Sequence, residues 1–384
     1  MRIAYNATSL IGPLTGIGQY ALQLALRIEQ RKDAELFMFY GSNFERKVEP
    51  RGHAYASRAR QAIRRMAPFM FDIAMYRRRR NFARGAKAIG IDVYHEPNFL
   101  ALDFDGPLVL TVHDLSWIRY PHTHPQERVR AMHKYFEPSL RRANIVLTVS
   151  EFVKREVIEV FGIEPSTIRA IPNGLDPVFR PRSEHEARPV LAKHGLEYAR
   201  YLLSVGTLEP RKNLERTVQA YSTLPAQLRA RFPLVIVGAT GWHTQGIRST
   251  LAPLIERGEA KVLGFLDREE LATLTAAAAA LVYPSIYEGF GLPPLEAMGS
   301  SVPAIASNVS SLPEVVGDTG LLVDPFDVDS IAAGMRTMIE DEALRSSLAP
   351  KALERARAFT WEACAEKTFA AYGDAIKGSR HSSR

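Results

Sequence analysis

Short apolar runs alternate with longer stretches of helical period along nearly the whole chain, the mark of parallel sheets covered by helices on both faces. In the first half the runs predict strands at Ile3–Asn6, Glu35–Tyr40, Asp92–His95, Leu108–Val112, Ile145–Val149 and Ile168–Ile171. Polar, proline-containing sequence over Phe179–Tyr198 then interrupts the pattern and predicts an interdomain linker. The alternation resumes with strands at Tyr201–Val205, Leu234–Val237, Lys261–Phe265, Ala280–Tyr283, Ala304–Ala306 and Leu321–Val323. Thr360 can cap a last helix reaching to about Ala375–Lys377, and 378–384 is expected to be a disordered tail. The pattern therefore predicts two α/β domains, 1–177 and 178–358, followed by a helix over 359–377.

Composition narrows this picture. A chain of 384 residues that is 46% hydrophobic is long enough for two ordinary domains. Its one cysteine, Cys364, excludes a disulfide framework and fits a reducing cytoplasm. No apolar run approaches the roughly 20 residues that span a bilayer. The chain enters a strand at Arg2, and no signal peptide is expected. A net charge of +7 suits an anionic partner. Much of it lies at Arg58, Arg60, Arg64, Arg65, Arg77–Arg80 and Arg84, flanking the apolar Met66–Tyr76. Such a segment, 58–87, suits the surface of an anionic membrane, and equally a solvated helix with its apolar side on the sheet. Nucleic acid is disfavoured because no stacking aromatics interleave with the arginines.

Candidate chemistry gathers at strand–loop–helix joints. The first strand leads into Gly12-Pro13-Leu14-Thr15-Gly16-Ile17-Gly18, a loop able to hold phosphate or sugar against backbone N–H groups. It is not a full dinucleotide fingerprint, and the second strand ends without the acid that binds NAD ribose. His95-Glu96-Pro97-Asn98 and His113-Asp114 follow two strands, where ligand crevices open in α/β sheets. In the second half, Gly206-Thr207-Leu208-Glu209-Pro210-Arg211-Lys212-Asn213 places two cations at a joint suited to a diphosphate. Glu288-Gly289-Phe290-Gly291-Leu292-Pro293-Pro294-Leu295-Glu296 sets one carboxylate on a loop and another about one turn into a helix. The triplets Asp103-Phe104-Asp105 and Asp327-Val328-Asp329 match a metal-binding pattern by chance, the second as a helix start.

Taken together, these stretches with Thr148-Val149-Ser150, Pro172-Asn173-Gly174-Leu175-Asp176 and Phe359-Thr360-Trp361 resemble the retaining GT-B glycosyltransferases (glycosyl transferases group 1). His95–Asn98 and Gly206–Asn213 are most similar to bacterial mannosyl- and rhamnosyltransferases of surface-polysaccharide assembly. The resemblance implies two Rossmann-like domains facing a cleft, with acceptor on the first, nucleotide sugar on the second, and the last helix crossing back to the first. It implies that Lys212 and Arg211 meet the donor diphosphate, Gly16 the distal phosphate, Glu296 the ribose and Glu288 the donor sugar. Phe290, Gly291 and Leu292 would offer N–H groups, Leu266 a backbone contact to the base, and His113 a contact near the reacting carbon. His95 and Asn98 are the acceptor candidates. Thr207 stands where many relatives carry arginine, and Arg211 is the substitute. The implied reaction moves mannose or rhamnose from a GDP-sugar to a lipid-linked glycan such as O-antigen, without metal or other cofactor, at the inner face of the cytoplasmic membrane. A UDP-sugar donor, a nucleotide-sugar epimerase of the same fold, and a non-catalytic binding protein are the alternatives.

Overall fold

The computed structural model describes residues 1–12, 14–51, 68–239 and 245–382. They fall into two compact units: Met1–Leu115 with Glu127–Asn173 and Trp361–Arg384, and Ser116–Gln126 with Gly174–Thr360. The short 116–126 segment thus clusters with the second unit although the sequence pattern places it in the first.

The first unit holds β1 (Arg2–Asn6), β2 (Glu35–Phe39), β3 (Phe44–Glu45), β4 (Val93–Glu96), β5 (Leu108–Val112), β6 (Ile145–Thr148) and β7 (Ile168–Ala170). They form one sheet in the order β3-β2-β1-β4-β5-β6-β7. Every pairing is parallel except that of β3, which runs antiparallel to β2. Strands buried on both faces need apolar residues throughout, which is why their positions could be read from runs of Val, Ile and Leu. β3 escaped notice because two residues carry no period. Phe44 packs it against Phe39 and Phe82, with ring centroids 5.1 and 5.2 Å away.

The second unit holds β8 (Leu202–Val205), β9 (Leu234–Val237), β10 (Ala260–Gly264), β11 (Ala280–Tyr283), β12 (Ala304–Ser307) and β13 (Leu321–Val323). These pair in the order β10-β9-β8-β11-β12-β13, all parallel. Leu202, Leu234, Ile236, Val282 and Ile305 form its core with Val218, Tyr221, Ile331 and Met335 of the covering helices. In both sheets the order reverses beside the first strand, with β1 between β2 and β4 and β8 between β9 and β11. Connections leave such a point in opposite directions, so a crevice opens at the carboxyl ends of the two central strands.

The last helix, Trp361–Ser382, belongs to the first unit. Its buried residues Trp361, Cys364, Ala365, Thr368, Ala371, Tyr372 and Ala375 repeat at helical spacing. Arg27 reaches Glu362 at 3.2 Å, Arg31 reaches Glu366 at 2.5 Å, and Arg169 reaches Asp374 at 2.5 Å. The helix extends past the expected end near Lys377, since residues 378–382 contain no proline to stop it.

Of the basic stretch 58–87, Arg58, Arg60, Arg64, Arg65 and Met66 lie outside the described residues. Pro68–Ile89 is one helix whose arginines divide between two faces. Phe82 and Ala86 join the core beside Phe39 and Tyr94. Arg79 approaches Asp103 and the Tyr135 ring, and Arg78 is buried enough to lower its pKa, opposed by the charge of Glu96. Ile73, Tyr76, Arg77, Arg80 and Arg84 remain exposed.

Candidate active site

Of the residues singled out in the second half, Arg211, Lys212 and Glu288 meet at the carboxyl ends of β8 and β11, the switch point of their sheet. After β8 the chain turns through Gly206, with φ +150°, beneath Gly238, with φ +156°. A Cβ on Gly238 would lie 1.9 Å from the Gly206 carbonyl oxygen, so the two loops touch backbone to backbone. Pro210–Lys212 then forms a single 3-10 turn, closed by Asn213 in the left-handed conformation. The Asn213 side-chain amide donates to the carbonyls of Pro284 (2.9 Å) and Pro325 (2.6 Å), tying the cationic turn to the loop after β11. The Arg211 carbonyl accepts from the Ile286 N–H at 3.0 Å.

That loop carries Glu288, which is buried. Its Oε1 accepts from Lys212 Nζ at 2.6 Å and from the Tyr283 hydroxyl at 2.9 Å; its Oε2 accepts from Arg211 Nη1 at 3.0 Å. Arg211 also donates to the Tyr287 carbonyl and to Glu209. Burial opposes ionisation of Glu288, but the charges of Lys212 and Arg211 more than offset it and hold the carboxyl at about 2. Glu288 is therefore a fixed anion between two fixed cations. Tyr283 was not singled out from sequence, and Glu209 and Asn213, which lie within the Gly206–Asn213 stretch, were given no role there. An aromatic at the end of a buried strand reads as core, and only the tertiary fold brings its hydroxyl to Lys212.

Gly291, with φ +116°, caps the Leu292–Gly299 helix, and a Cβ there would come within 2.7 Å of Leu312. Pro293 and Pro294 carry no N–H, so within the first turn of that helix only Leu292 has a backbone donor, preceded by the N–H groups of Gly291 and Phe290. Glu296 lies one turn further in and is buried. Its Oε1 accepts from Arg268 Nη2 at 3.0 Å, and Arg268 Nε donates to Asp176 at 2.7 Å. Burial raises the Glu296 pKa, and Arg268 partly opposes the rise. Leu266 sits two residues before Arg268, in the loop after β10.

In the first unit, Gly16 is exposed at the start of the Gly16–Glu29 helix, whose capping residue Thr15 makes no side-chain cap. The helix start packs closely on the loop after β1: a Cβ on Gly18 would lie 3.0 Å from the Ser9 carbonyl. His113 follows β5. Its Nε2 lies 2.7 Å from the Pro97 carbonyl, which can only accept, so Nε2 carries the proton and Nδ1 presents a lone pair. Burial lowers the His113 pKa against the opposing effects of Pro97 and Asp114, leaving a neutral ring wedged against Tyr20 and Phe99.

The acceptor expectation for His95 needs correction. The ring has no exposed surface, and its two nitrogens meet Tyr372 (2.7 Å) and Thr111 (2.8 Å). Burial pushes its pKa down to about 3. His95 is thus an internal hydrogen-bonding residue of the first unit, because its side chain points sideways from the strand rather than out of its end. Asn98 stays partly exposed, and its N–H donates to Glu96 at 3.0 Å. Glu96 also accepts from Asn6 (2.6 Å) and Tyr94 (2.5 Å), and burial raises its pKa to about 7.

The aspartate triplets have other occupations. Asp103 lies 3.9 Å from Arg79 and 3.8 Å from Arg142, and Asp327 caps the Val328–Glu340 helix. Among the described residues no group of three or more His, Cys, Asp or Glu side chains could hold a metal ion.

Comparison with known proteins bears on this geometry. Residues 190–355 match the family described as Glycosyl transferases group 1, and residues 14–179 match Glycosyltransferase Family 4. The chain is 39% identical to O-antigen chain mannosyltransferase B of Escherichia coli over 97% of its own length and 99% of that protein. Among solved structures it is similar to sucrose-phosphate synthase from Thermosynechococcus elongatus, with a TM-score of 0.76 and 22% identity over 99% of this chain and 100% of that one. It is also similar to WaaG, a glycosyltransferase involved in lipopolysaccharide biosynthesis, with a TM-score of 0.71 and 17% identity over 95% of this chain and 98% of that one.

Proposed function

Since the chain belongs to the glycosyl transferases group 1, with the GT-B fold, we propose that it is a retaining mannosyltransferase of O-antigen synthesis that uses a GDP-sugar and a lipid-linked glycan acceptor. The observation that carries the reading is the Lys212–Glu288–Arg211 cluster at the switch point of the second sheet. Cleavage of the bond between sugar C1 and a nucleoside diphosphate places positive charge on the sugar and negative charge on the leaving phosphate. Lys212 and Arg211 supply fixed positive charge for the phosphate without reorganisation, together with N–H groups of Phe290, Gly291 and Leu292. Glu288, held ionised, lies beside them where a sugar cation develops. Glu296 accepts hydrogen bonds from the ribose, and the neutral His113 accepts one from the sugar through Nδ1. Gly16 approaches the distal phosphate through its backbone, and Leu266 meets the base.

Retention follows if the acceptor attacks from the side on which phosphate departs. A phosphate oxygen then takes the acceptor proton, and no protein base is needed. Lys212 and Arg211 take the place that a divalent metal has in other transferases. The exposed Ile73, Tyr76, Arg77, Arg80 and Arg84 face of the Pro68–Ile89 helix suits the surface of an anionic membrane, where a lipid-linked acceptor would be met. Among the described residues no helix is long and apolar enough to cross a membrane.

The test is a transfer assay with GDP-mannose, GDP-rhamnose and the UDP-hexoses on a lipid-linked glycan, run with excess chelator. Transfer of an α-linked sugar from a GDP donor, undiminished by chelator, is expected. Turnover with UDP donors alone would replace the base assignment. Loss on chelation, restored by magnesium or manganese, would replace the metal-free mechanism. Interconversion of the donor without an acceptor would replace the transferase reading with an epimerase.

A further inference from the structure

Arg268 is the first residue of the Arg268–Ala276 helix, set by Asp267, whose side chain caps that helix on the Glu270 N–H at 2.9 Å. Its guanidinium lies 4.8 Å from the centroid of the Phe179 ring. Nε then reaches Asp176 (2.7 Å) and Nη2 reaches Glu296 (3.0 Å). Asp176 is itself fixed by its own turn, accepting from the Val178 N–H at 3.1 Å. Three separate pieces of chain, the 174–179 segment, the loop after β10 and the Leu292–Gly299 helix, therefore meet on one guanidinium. Nothing in the sequence pattern marks this arginine.

We propose that Arg268 is the positioning residue of the nucleoside site: spanning Asp176 and Glu296, it orients the Glu296 carboxylate and favours the charged form, which can accept from both ribose hydroxyls. The proposal rests on the assignment of Glu296 to the ribose. A planar fork bridging two carboxylates fixes direction as well as charge, which a flexible ammonium does less well. The charged groups acting on Glu296 are Arg268, which favours its ionised form, and Asp176, which opposes it. On the elements packed around the helix, Tyr283 is engaged with Glu288, and Arg355 with the Val315 and Glu314 carbonyls. Removal of Arg268 thus leaves a buried carboxylate beside another carboxylate and, among the described residues, no cation acting on it. Its pKa, already raised by burial, rises further, and the protonated form accepts poorly.

The experiment measures binding of GDP and UDP, and of their 2′-deoxy and 3′-deoxy counterparts, by calorimetry between pH 5.5 and 8. The proteins are the full chain and its Arg268→Met, Arg268→Lys and Glu296→Gln variants, each checked for folding by circular dichroism. The parent should prefer the ribonucleotide, with a weaker dependence on pH than Arg268→Met. Arg268→Met should bind it about 10- to 100-fold more weakly, the loss growing as pH falls, while the deoxy compounds change little. Arg268→Lys should recover part of the preference. Equal loss for ribo- and deoxynucleotides, or a loss independent of pH, overturns the role and leaves Arg268 a structural tie. If Glu296→Gln retains the full ribose preference, or the parent binds neither nucleotide, the donor-site reading itself fails, and the proposal with it.

Discussion

Lys212 and Glu296 stand in different electrostatic settings, and their removal should be felt at different stages of the reaction. Ribose hydroxyls do not change charge during transfer, so the contribution of Glu296 is nearly uniform binding. A hydrogen bond to a charged group is worth about 1.5–3 kcal/mol, and Glu296→Ala should mainly raise the donor KM. Lys212 meets a diphosphate whose charge grows as the sugar leaves, so its interaction strengthens toward the transition state. Lys212→Ala should depress kcat by about 10²–10³. It also leaves Glu288 to Arg211 and Tyr283, so thermal unfolding of the variant must be compared with that of the parent. Steady-state kinetics on the two variants decides the matter: equal effects on kcat, or a Lys212 effect confined to KM, would reverse the assignments.

At the scale of elements, the informative joint is that between β4 and the Trp361–Ser382 helix. His95 and Tyr372 meet across it inside the first unit, and the His95 ring is held neutral with a pKa of about 3 against an ordinary 6.5. A histidine whose folded pKa is depressed leaves the unfolded chain binding more protons below pH 6.5. Stability from this group is complete above that value and is lost as pH falls toward 3. At pH 5 the loss from His95 alone is about 2 kcal/mol. Replacement by glutamine, which keeps polarity without titrating, should flatten the dependence of Tm on pH between 7 and 5 while lowering Tm at neutral pH through imperfect hydrogen bonds. A slope as steep in the variant as in the parent would show that other groups govern acid unfolding.

For the whole molecule, the +7 charge acquires a direction from the Pro68–Ile89 helix. Arg78 and Arg79 turn inward toward Glu96 and Asp103, and Arg77, Arg80 and Arg84 point outward with Ile73 and Tyr76. Replacing all of Arg77–Arg80 would therefore mix a surface effect with an internal one. The triple change Arg77→Gln, Arg80→Gln, Arg84→Gln removes surface charge alone. Each basic residue near an anionic bilayer contributes about 1 kcal/mol, screened by salt. The triple variant should sediment with anionic vesicles at least about tenfold more weakly at low salt, with little change on neutral vesicles. Unchanged partition would dismiss this face as a membrane contact.

The buried parallel strands were legible in the sequence because a strand covered on both faces must be apolar along its length. The cationic turn at Pro210–Asn213 and the Glu288–Glu296 stretch were legible too, since glycine, proline and charge at a strand–helix joint leave a local mark. The two-residue β3, the clustering of 116–126 with the second unit and the enclosure of His95 under Tyr372 left none. Each depends on residues far apart in the chain: His95 and Tyr372 are separated by 277 positions, and Arg268 lies 92 from Asp176 and 28 from Glu296. Periodicity reports which face of an element is buried, but not which side chain from another element covers it. Sequence alone thus determined the strands and the loops that carry charge. Only tertiary structure decided that Glu288 sits between Lys212 and Arg211, and that Arg268 holds Glu296, because partner choice is set by packing across elements and not by spacing along them.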